Sequence, residues 1–219
     1  VPTVITMIDG KYYAKINSLT NSTYAVIYSP KSFKDLVQHW AEKNVNDMAS
    51  RLVVSGTGED KFEPDKDITR AEFATIVVRA LGLMSPGSGK DAFIDVVKKS
   101  WYYDAVSIAH EYGITSGYEN GNFGPDDKIN REQALTMIAR AIKITGSKVE
   151  LADGEADKLL TGFTDANRAA EYAKTSLASC VKAGIISGRS GKLIAPKDNI
   201  TRAEVTVIVQ RLLQNSNLI

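Results

Sequence analysis

The stretch Thr69–Leu81, TRAEFATIVVRAL, returns with substitutions at Asn130–Ile142, NREQALTMIARAI, and at Thr201–Leu213, TRAEVTVIVQRLL. Apolar residues stand at positions i, i+3, i+4, i+7 and i+8 of each copy, which is the spacing of an amphipathic helix that buries one face. These positions are Phe73, Ile76, Val77, Ala80 and Leu81; Ala134, Met137, Ile138, Ala141 and Ile142; and Val205, Ile208, Val209, Leu212 and Leu213. Because three such helices can bury their apolar faces against one another, the sequence predicts a mainly α fold with pseudo-threefold symmetry.

The repeat extends well beyond these helices. Over their central part, from the recurring aromatic residue to the arginine, equivalent positions differ in number by 61 between the first two copies and by 71 between the last two, without gaps. Each unit also opens with a Phe-x-Asp motif. The recurring residues are Trp40, Trp101 and Tyr172; Ser55-Gly56, Ser116-Gly117 and Ser187-Gly188; Pro64, Pro125 and Pro196; Arg70, Arg131 and Arg202; and Phe33/Asp35, Phe93/Asp95 and Phe163/Asp165. We divide the chain into repeats at 31–84, 91–145 and 161–214.

Each unit reads as a helix, a loop and a second helix. We expect the first helices at about 40–53, 101–114 and 172–185, with the glycines of the Ser-Gly pairs as their C-caps. Between units, Met84–Lys90 has the composition of a short Gly/Ser/Pro linker. The acidic stretch Thr145–Gly162 is interpreted as a solvated loop.

Residues 1–30 have a different composition. Thr3–Ile8, Tyr12–Ile16 and Tyr24–Tyr28 are rich in β-branched and aromatic residues, and Asp9-Gly10 is a strong hairpin signal. We predict a small β-meander of three strands before the repeats and interpret it as the end of a preceding domain.

The start of each second helix has a structural explanation. Thr69 with Glu72, and Thr201 with Glu204, match the capping box, in which two side chains satisfy the first free amides of a helix. In the second copy, Gln133 takes the place of the glutamate and Asn130 that of the threonine. We therefore predict that these residues cap helices.

The arginine inside this motif needs a further explanation. It occupies the first helical position, where the macrodipole disfavours a cation by about half a kcal/mol. An anion is therefore expected nearby, either an internal carboxylate or an anionic ligand that the guanidinium and the free helix amides bind together. The internal candidates are Asp35, Asp95 and Asp165. The later arginines of the same helices, Arg79, Arg140 and Arg211, are interpreted as surface or structural residues.

The recurring aromatic residue has two readings as well. It can belong to the core, as periodic aromatic residues usually do, or offer a flat face to the apolar side of a sugar ring. The backbone amides of the Ser-Gly pairs can likewise form an anion-binding nest.

Several functional classes find little support. The net charge of +1 gives no field that favours nucleic acid, and no apolar run is long enough to enter a membrane. The chain has two histidines, one cysteine and no EF-hand loop, so we expect no metal, no cofactor and no catalytic residues. A glycosidase needs two carboxyl groups about 5–10 Å apart, and no non-repeated acidic pair suggests itself.

In order, Phe-x-Asp, a helical Trp-Ala, Ser-Gly, Phe-x-Pro-Asp and Ile-Thr-Arg-Ala-Glu resemble the motifs of the S-layer homology domain. The resemblance covers residues 31 to 214, as three consecutive copies. It implies a pseudo-threefold trimer made by one monomeric chain around a central three-helix bundle, located on the bacterial cell wall. It also implies a non-catalytic anchor whose inter-repeat grooves bind a secondary cell-wall polysaccharide linked to peptidoglycan, often with pyruvate ketals on N-acetylmannosamine.

The resemblance further implies which residues meet the polymer. The arginines Arg70, Arg131 and Arg202 would face the pyruvate carboxylate. The groove walls would be Asp35, Asp95, Asp165, Trp40, Trp101, Tyr172, Ser55, Gly56, Ser116, Gly117, Ser187 and Gly188.

The copies depart from the family pattern at several positions. The second has Asn130 and Gln133 at its helix start, and the third has Tyr172, Ile194 and Lys197 in place of tryptophan, phenylalanine and aspartate. We therefore expect unequal sites, with the grooves of Trp40 and Trp101 dominant. The alternative function is a helical protein-interaction module whose arginines bind acidic partner segments.

Overall fold

A computed structural model describes residues 1–18, 23–85, 91–190 and 192–219. The mainly α fold predicted from the sequence is confirmed. Its strands are β1 (Thr3–Ile8) and β2 (Lys11–Ile16). Its helices are α1 (Glu42–Ser50), α2 (Arg70–Leu81), α3 (Tyr103–Glu111), α4 (Arg131–Ile144), α5 (Glu155–Leu160), α6 (Glu171–Lys182) and α7 (Arg202–Asn215). No helix within the described ranges is long and apolar enough to cross a membrane.

The second helices of the three repeats, α2, α4 and α7, form the centre of the molecule. All three begin with the predicted capping box, in which both hydrogen bonds are present. The fifteen apolar positions that define the repeat are buried. Each of these helices contacts the other two, which confirms the predicted three-helix assembly.

A ring of backbone hydrogen bonds closes the three repeats on one another just before these helices. The amide of Ile129 donates to the carbonyl of Ile68 (3.3 Å), Ile200 donates to Ile129 (3.2 Å), and Ile68 donates to Ile200 (3.2 Å). All three side chains are fully buried. Because every member is both donor and acceptor, removing one repeat would leave buried peptide groups of the other two without partners.

The first helices are shorter than predicted, ending at Ser50, Glu111 and Lys182. Shortly after each end, one residue adopts a left-handed conformation: Leu52 (φ 62°), Gly113 (φ 68°) or Gly184 (φ 68°). This conformation terminates a helix. The Ser-Gly pairs lie four residues further along, so the prediction that their glycines cap the helices was wrong.

The N-terminal segment forms a hairpin and no meander. Strands β1 and β2 pair antiparallel across Asp9-Gly10, as predicted. The predicted strand at Tyr24–Tyr28 was wrong, since these residues have no regular structure and Val26 is 96% exposed. A strand requires a neighbouring edge with which to pair, and among the described residues this segment pairs with neither edge of the two-stranded sheet.

The connections between repeats also differ from expectation. Within the acidic stretch predicted to be a loop, α5 packs on α6, because Leu160 is buried and Glu155 pairs with Lys182 at 2.7 Å. Most of the predicted Gly/Ser/Pro linker, residues 86–90, lies outside the described residues.

The central bundle predicts where truncation is costly. We expect Ile138→Ala to lower the free energy of unfolding by about 2–5 kcal/mol, because it leaves a cavity among fully buried side chains. The matched control Ile94→Ala removes the same atoms from a side chain that is 81% exposed, and should change stability by no more than about 0.5 kcal/mol. Urea denaturation of both variants measures the difference, and equal losses would contradict this description of the core.

Candidate ligand-binding grooves between the repeats

The arginine at the start of each second helix reaches into the next repeat. The Nε atom of Arg70 donates to the carbonyl of Phe123 at 2.8 Å, and only 4% of the Arg70 surface is exposed. The equivalent bonds join Arg131 to Ile194 (3.0 Å) and Arg202 to Phe62 (2.8 Å). Each arginine therefore anchors the loop that follows the first helix of the next repeat, and the three contacts close a circle.

The aspartates of the Phe-x-Asp motifs hold the same loop residues from the other side. Asp95 accepts from the amides of Phe123 and Gly124 at 2.7 and 2.8 Å. Asp35 binds the amides of Phe62 and Glu63, and Asp165 those of Ile194 and Ala195. The loop residue is thus fixed at its N–H by its own repeat and at its C=O by the preceding one.

Backbone hydrogen bonds favour the ionised form of Asp35. Burial of Asp35 opposes its ionisation, but hydrogen bonds from the amides of Glu63 and Phe62 outweigh burial and lower the pKa of its carboxyl group. Within the described residues, the ion pairs of the recurring arginines use other carboxylates. Asp95, Asp165 and Asp35 thus form no direct ion pair with the arginines, but their charges favour the cations of Arg70, Arg131 and Arg202 from a distance.

The amides at the helix starts are also occupied. The backbone N–H of Arg70 donates to the carbonyl of Asp127 at 3.0 Å, and that of Ala71 donates to Pro125 at 3.1 Å. The other two helices repeat this arrangement with carbonyls from their neighbouring repeats. The expectation that free amides join the arginine in binding an anion was wrong, because these amides already donate hydrogen bonds to loop carbonyls of the next repeat.

The three arginines differ in their charge partners. Arg131 lies 3.1 Å from Glu204, which also receives two hydrogen bonds from Arg189 at 2.6 and 2.7 Å. Burial opposes ionisation of Glu204, but the hydrogen bond from Arg189 and the charge of Arg131 lower its pKa. Arg202 is 3.8 Å from Glu72.

Arg70 has no such partner. Across the part of the chain that the structure describes, no carboxylate forms an ion pair with it. Its guanidinium instead lies 4.4 Å from the ring centre of Tyr118, a cation–π contact. Burial lowers its pKa, but an arginine keeps its charge in a protein. The more distant charges of Asp127 and Asp95 oppose this shift. Among the described residues, Arg70 is therefore a buried cation with no carboxylate in direct ion-pair contact.

This cation lines a groove of about 430 Å³, which we call the Arg70 groove. All three repeats contribute to its walls. They include Arg70, Thr115, Ser116, Gly117, Tyr118, Glu119, Gln133, Thr136, Met137, Arg140 and Tyr172. Its one carboxylate, Glu119, is exposed to solvent. The groove thus combines two guanidinium groups with hydroxyl groups and aromatic faces.

A second groove, the Arg131 groove, has only about 120 Å³. Its walls include Trp40, Arg131, Ser187, Gly188, Arg189, Glu204 and Arg211. Around the third arginine, Nη2 of Arg202 donates to the carbonyl of Ser55 at 2.7 Å. In all three places, the arginine of one repeat meets the Ser-Gly segment of the next.

The recurring aromatic residues lie on the surface. Trp40, Trp101 and Tyr172 are 61%, 65% and 58% exposed, so the interpretation that they belong to the core was wrong. Trp40 lines the Arg131 groove and Tyr172 the Arg70 groove. Trp101 packs edge-on against Tyr102 at 5.4 Å between ring centres.

Three residues that break the repeat pattern contact one another. Glu132, which replaces an alanine of the other copies, is buried and lies 2.5 Å from Nζ of Lys197. It also accepts a hydrogen bond from the hydroxyl of Tyr172 at 3.2 Å. Burial and the charge of Glu132 raise the pKa of Tyr172 to about 12. These substitutions therefore compensate one another and hold a neutral phenol at the Arg70 groove.

The glycines of the Ser-Gly pairs have a structural reason. A Cβ atom at Gly117 would lie 2.4 Å from the ring of Phe93, and a Cβ atom at Gly56 or Gly188 would lie 2.7 or 2.8 Å from the ring of Phe33 or Phe163. The phenylalanine of each Phe-x-Asp motif therefore packs against backbone that only glycine leaves open.

Sequence reasoning missed several groove residues, among them Tyr118 and Arg189. Arg140 and Arg211, interpreted as surface or structural, line the Arg70 and Arg131 grooves. The signal was available, because Gln133, Met137 and Arg140 stand at i, i+4 and i+7 and so share one face of α4.

Comparison with protein families gives one match. The model of the S-layer homology domain matches residues 32–74, 92–135 and 162–206, which together are more than half of the chain.

Similar proteins include both enzymes and surface proteins. The chain is 32% identical to an amylopullulanase of Thermoanaerobacterium thermosulfurigenes over 95% of its own length and 11% of that protein. It is 33% identical to an exoglucanase of Acetivibrio thermocellus, over 91% of this chain and 18% of the enzyme. A surface-layer 125 kDa protein of Lysinibacillus sphaericus is 32% identical, over 82% of this chain and 14% of that protein. The chain thus spans less than a fifth of each of these relatives.

The packing of Phe93 on glycine predicts a stability difference. Gly117 and Gly113 have nearly the same left-handed conformation (φ 69° and 68°), but only Gly117 has neighbours within 4 Å of the added methyl group. We expect Gly113→Ala to cost about 1–2 kcal/mol through backbone strain alone. Gly117→Ala should cost about 1–3 kcal/mol more through overpacking. Guanidinium denaturation measures the free energy of unfolding of both variants. Equal losses would show that the Phe93 ring moves aside without an energetic cost.

Proposed function

Because the chain belongs to the S-layer homology domain family, we propose that it holds a larger surface protein to an anionic polysaccharide, with the Arg70 groove as the main binding site. Domains of this family are non-catalytic modules of the bacterial cell surface that anchor proteins to the cell wall. The polymer we propose is a peptidoglycan-linked secondary cell-wall polysaccharide that carries pyruvate ketals on N-acetylmannosamine. We assign the three anchoring repeats to residues 31–84, 91–145 and 161–214.

The observation that carries this proposal is that the buried guanidinium of Arg70 has no carboxylate in direct contact, while Asp127 and Asp95 act on it only from a distance. A buried cation without a contacting counter-ion attracts an anion, because little water competes for it. A guanidinium group binds a carboxylate through two parallel hydrogen bonds. The carboxylate of a pyruvate ketal meets both requirements.

The rest of the groove suits a sugar. Tyr172 offers an exposed aromatic face, and Glu132 fixes its hydroxyl. Ser116 and Thr115 add polar groups for sugar hydroxyls. We assign the aspartates Asp35, Asp95 and Asp165 to shaping the groove walls through the loop backbone, since their oxygens bind amides there.

The geometry supports an order of sites that differs from the sequence-based ranking. The Arg70 groove has more than three times the volume of the Arg131 groove. Its arginine also lacks the carboxylate that Arg131 has in Glu204. We therefore place the groove of Tyr172 ahead of that of Trp40.

The relatives support an anchor more than a reaction. Two are named as glycosidases of different kinds and one as a surface-layer protein. A segment shared by such different proteins, and forming less than a fifth of each, fits a common attachment function.

We expect Arg70→Ala to weaken binding to wall polymer by about 10- to 100-fold, the loss of a charge-assisted hydrogen-bonded pair of about 1.5–3 kcal/mol. Arg70→Lys should restore part of the affinity, because lysine keeps the charge without the fork. Arg79→Ala, an exposed cation on the same helix, is the matched control. Co-sedimentation with peptidoglycan sacculi stripped of protein measures binding, with and without chemical removal of pyruvate.

Melting curves must accompany these titrations, because Arg70 also holds the carbonyl of Phe123. A folded Arg70→Ala protein with unchanged affinity would make the arginine purely structural. Failure of the unaltered protein to bind protein-free sacculi would favour the alternative of an acidic protein partner.

The order of the grooves has its own test. Tyr172→Ala should lower the affinity for a short polymer fragment more than Trp40→Ala does, because Tyr172 borders the groove with the unpaired arginine. Both side chains are more than half exposed, so neither change should unfold the protein. Isothermal titration calorimetry gives both affinities, and a larger loss for Trp40→Ala would restore the order inferred from the sequence.

A further inference from the structure

We infer that Gln133 determines which groove binds the anion, because it replaces the glutamate that neutralises the arginine in the other two grooves. This inference rests on the proposed function. The inference depends on one terminal atom of the Gln133 side chain. The sequence alone indicates only that Gln133 caps a helix.

The three capping side chains make the same hydrogen bond to the backbone. Gln133 Oε1 accepts from the amide of Asn130 at 3.2 Å. Glu72 Oε2 accepts from Thr69 at 2.8 Å, and Glu204 Oε2 from Thr201 at 3.1 Å. One terminal atom of each side chain thus binds the helix start, and the other faces the groove, where that of Gln133 also makes a hydrogen bond with Tyr118.

The second terminal atom decides the charge of the groove. Oε1 of Glu204 lies 3.1 Å from Arg131, and Oε1 of Glu72 lies 3.8 Å from Arg202. In each case, the arginine of one repeat meets the capping residue of the next. By the same relation, Gln133 is the counterpart for Arg70, and both side chains line the same groove.

An amide cannot take the role of the carboxylate. The second atom of Gln133 is a nitrogen that carries two hydrogens, so it donates hydrogen bonds and has no charge to offer an arginine. One of its hydrogens serves the hydrogen bond with Tyr118, and the second can donate to an anionic ligand. The exchange of one oxygen for nitrogen therefore removes an internal competitor of the ligand and adds a donor beside Arg70.

The other grooves carry their own counter-ion. In the Arg131 groove, Glu204 accepts from two guanidinium groups, Arg131 and Arg189. A carboxylate ligand would have to displace this ion pair or bind next to a like charge, and both lower its affinity. At the third arginine, the looser pair of Arg202 with Glu72, 3.8 Å apart, makes the position intermediate. We therefore expect one strong anion site per chain.

The test is Gln133→Glu, with a disaccharide bearing a pyruvate ketal on N-acetylmannosamine as the probe. Glutamate caps a helix as Glu72 and Glu204 do, so we expect an unchanged melting temperature. Binding measured by calorimetry should fall at least about tenfold, as expected when a charge-assisted bond is lost. Gln214→Glu, the same change at an exposed position of α7, is the matched control for net charge.

The reciprocal variant Glu72→Gln should free Arg202 and raise the stoichiometry from one to two. Glu72 is preferred to Glu204 because removing the charge of Glu204 would also leave Arg189 with a weaker set of partners.

Three results separate the inference from the proposed function. Unaltered affinity in Gln133→Glu, or three equal sites in the unaltered chain, would overturn the role of Gln133 while leaving the anchor function intact. No binding of sacculi or disaccharide by the unaltered chain would instead overturn the proposed function itself.

Discussion

The fold depends on one contact made three times around a circle, between a buried arginine and a backbone carbonyl of the next repeat. This contact places a cation at a helix start, where the helix dipole opposes it. It is tolerated because the same loop also gives its carbonyls to the first helix amides, and because aspartates hold the loop rigid from the other side. No repeat completes this arrangement alone. The repeats therefore depend on one another through hydrogen bonds to the backbone, in addition to the apolar packing of α2, α4 and α7.

The same contact explains how a structural residue becomes available for binding. A guanidinium group has five donors, and the loop carbonyl takes only one of them, at Nε. The remaining face points to the seam between repeats, where the capping residue of the next helix lies. Whether that residue is glutamate or glutamine decides if the arginine is neutralised within the chain or left for a ligand. Under the proposed function, stability and recognition use different atoms of one side chain.

Some of the sequence differences between the repeats have a common physical explanation that an alignment of the repeats does not reveal. Glu132, Lys197 and Tyr172 look like three separate departures from the pattern. In space they form one cluster, in which a buried carboxylate is matched by an ammonium group and a phenol. Lys197 stands where the other copies have an aspartate. Its positive charge balances the negative charge of Glu132, because an unpaired buried carboxylate would be costly. The tyrosine gains a fixed hydroxyl that a tryptophan could not provide.

The sequence by itself determined the three second helices, their capping boxes and their association, because these depend on local periodicity and on side chains three residues apart. It also identified the arginines, aromatic residues and Ser-Gly pairs as one recurring set. The tertiary structure alone decided which of them meet, since Arg70, Gln133 and Tyr172 come from three different repeats. It also decided that the aspartates bind amides, that the helix amides are occupied and that no third strand forms at Tyr24–Tyr28. Each of these outcomes depends on whether a residue meets a partner that is distant in the chain. Charge pairing between two repeats cannot be predicted from the sequence pattern of a single repeat.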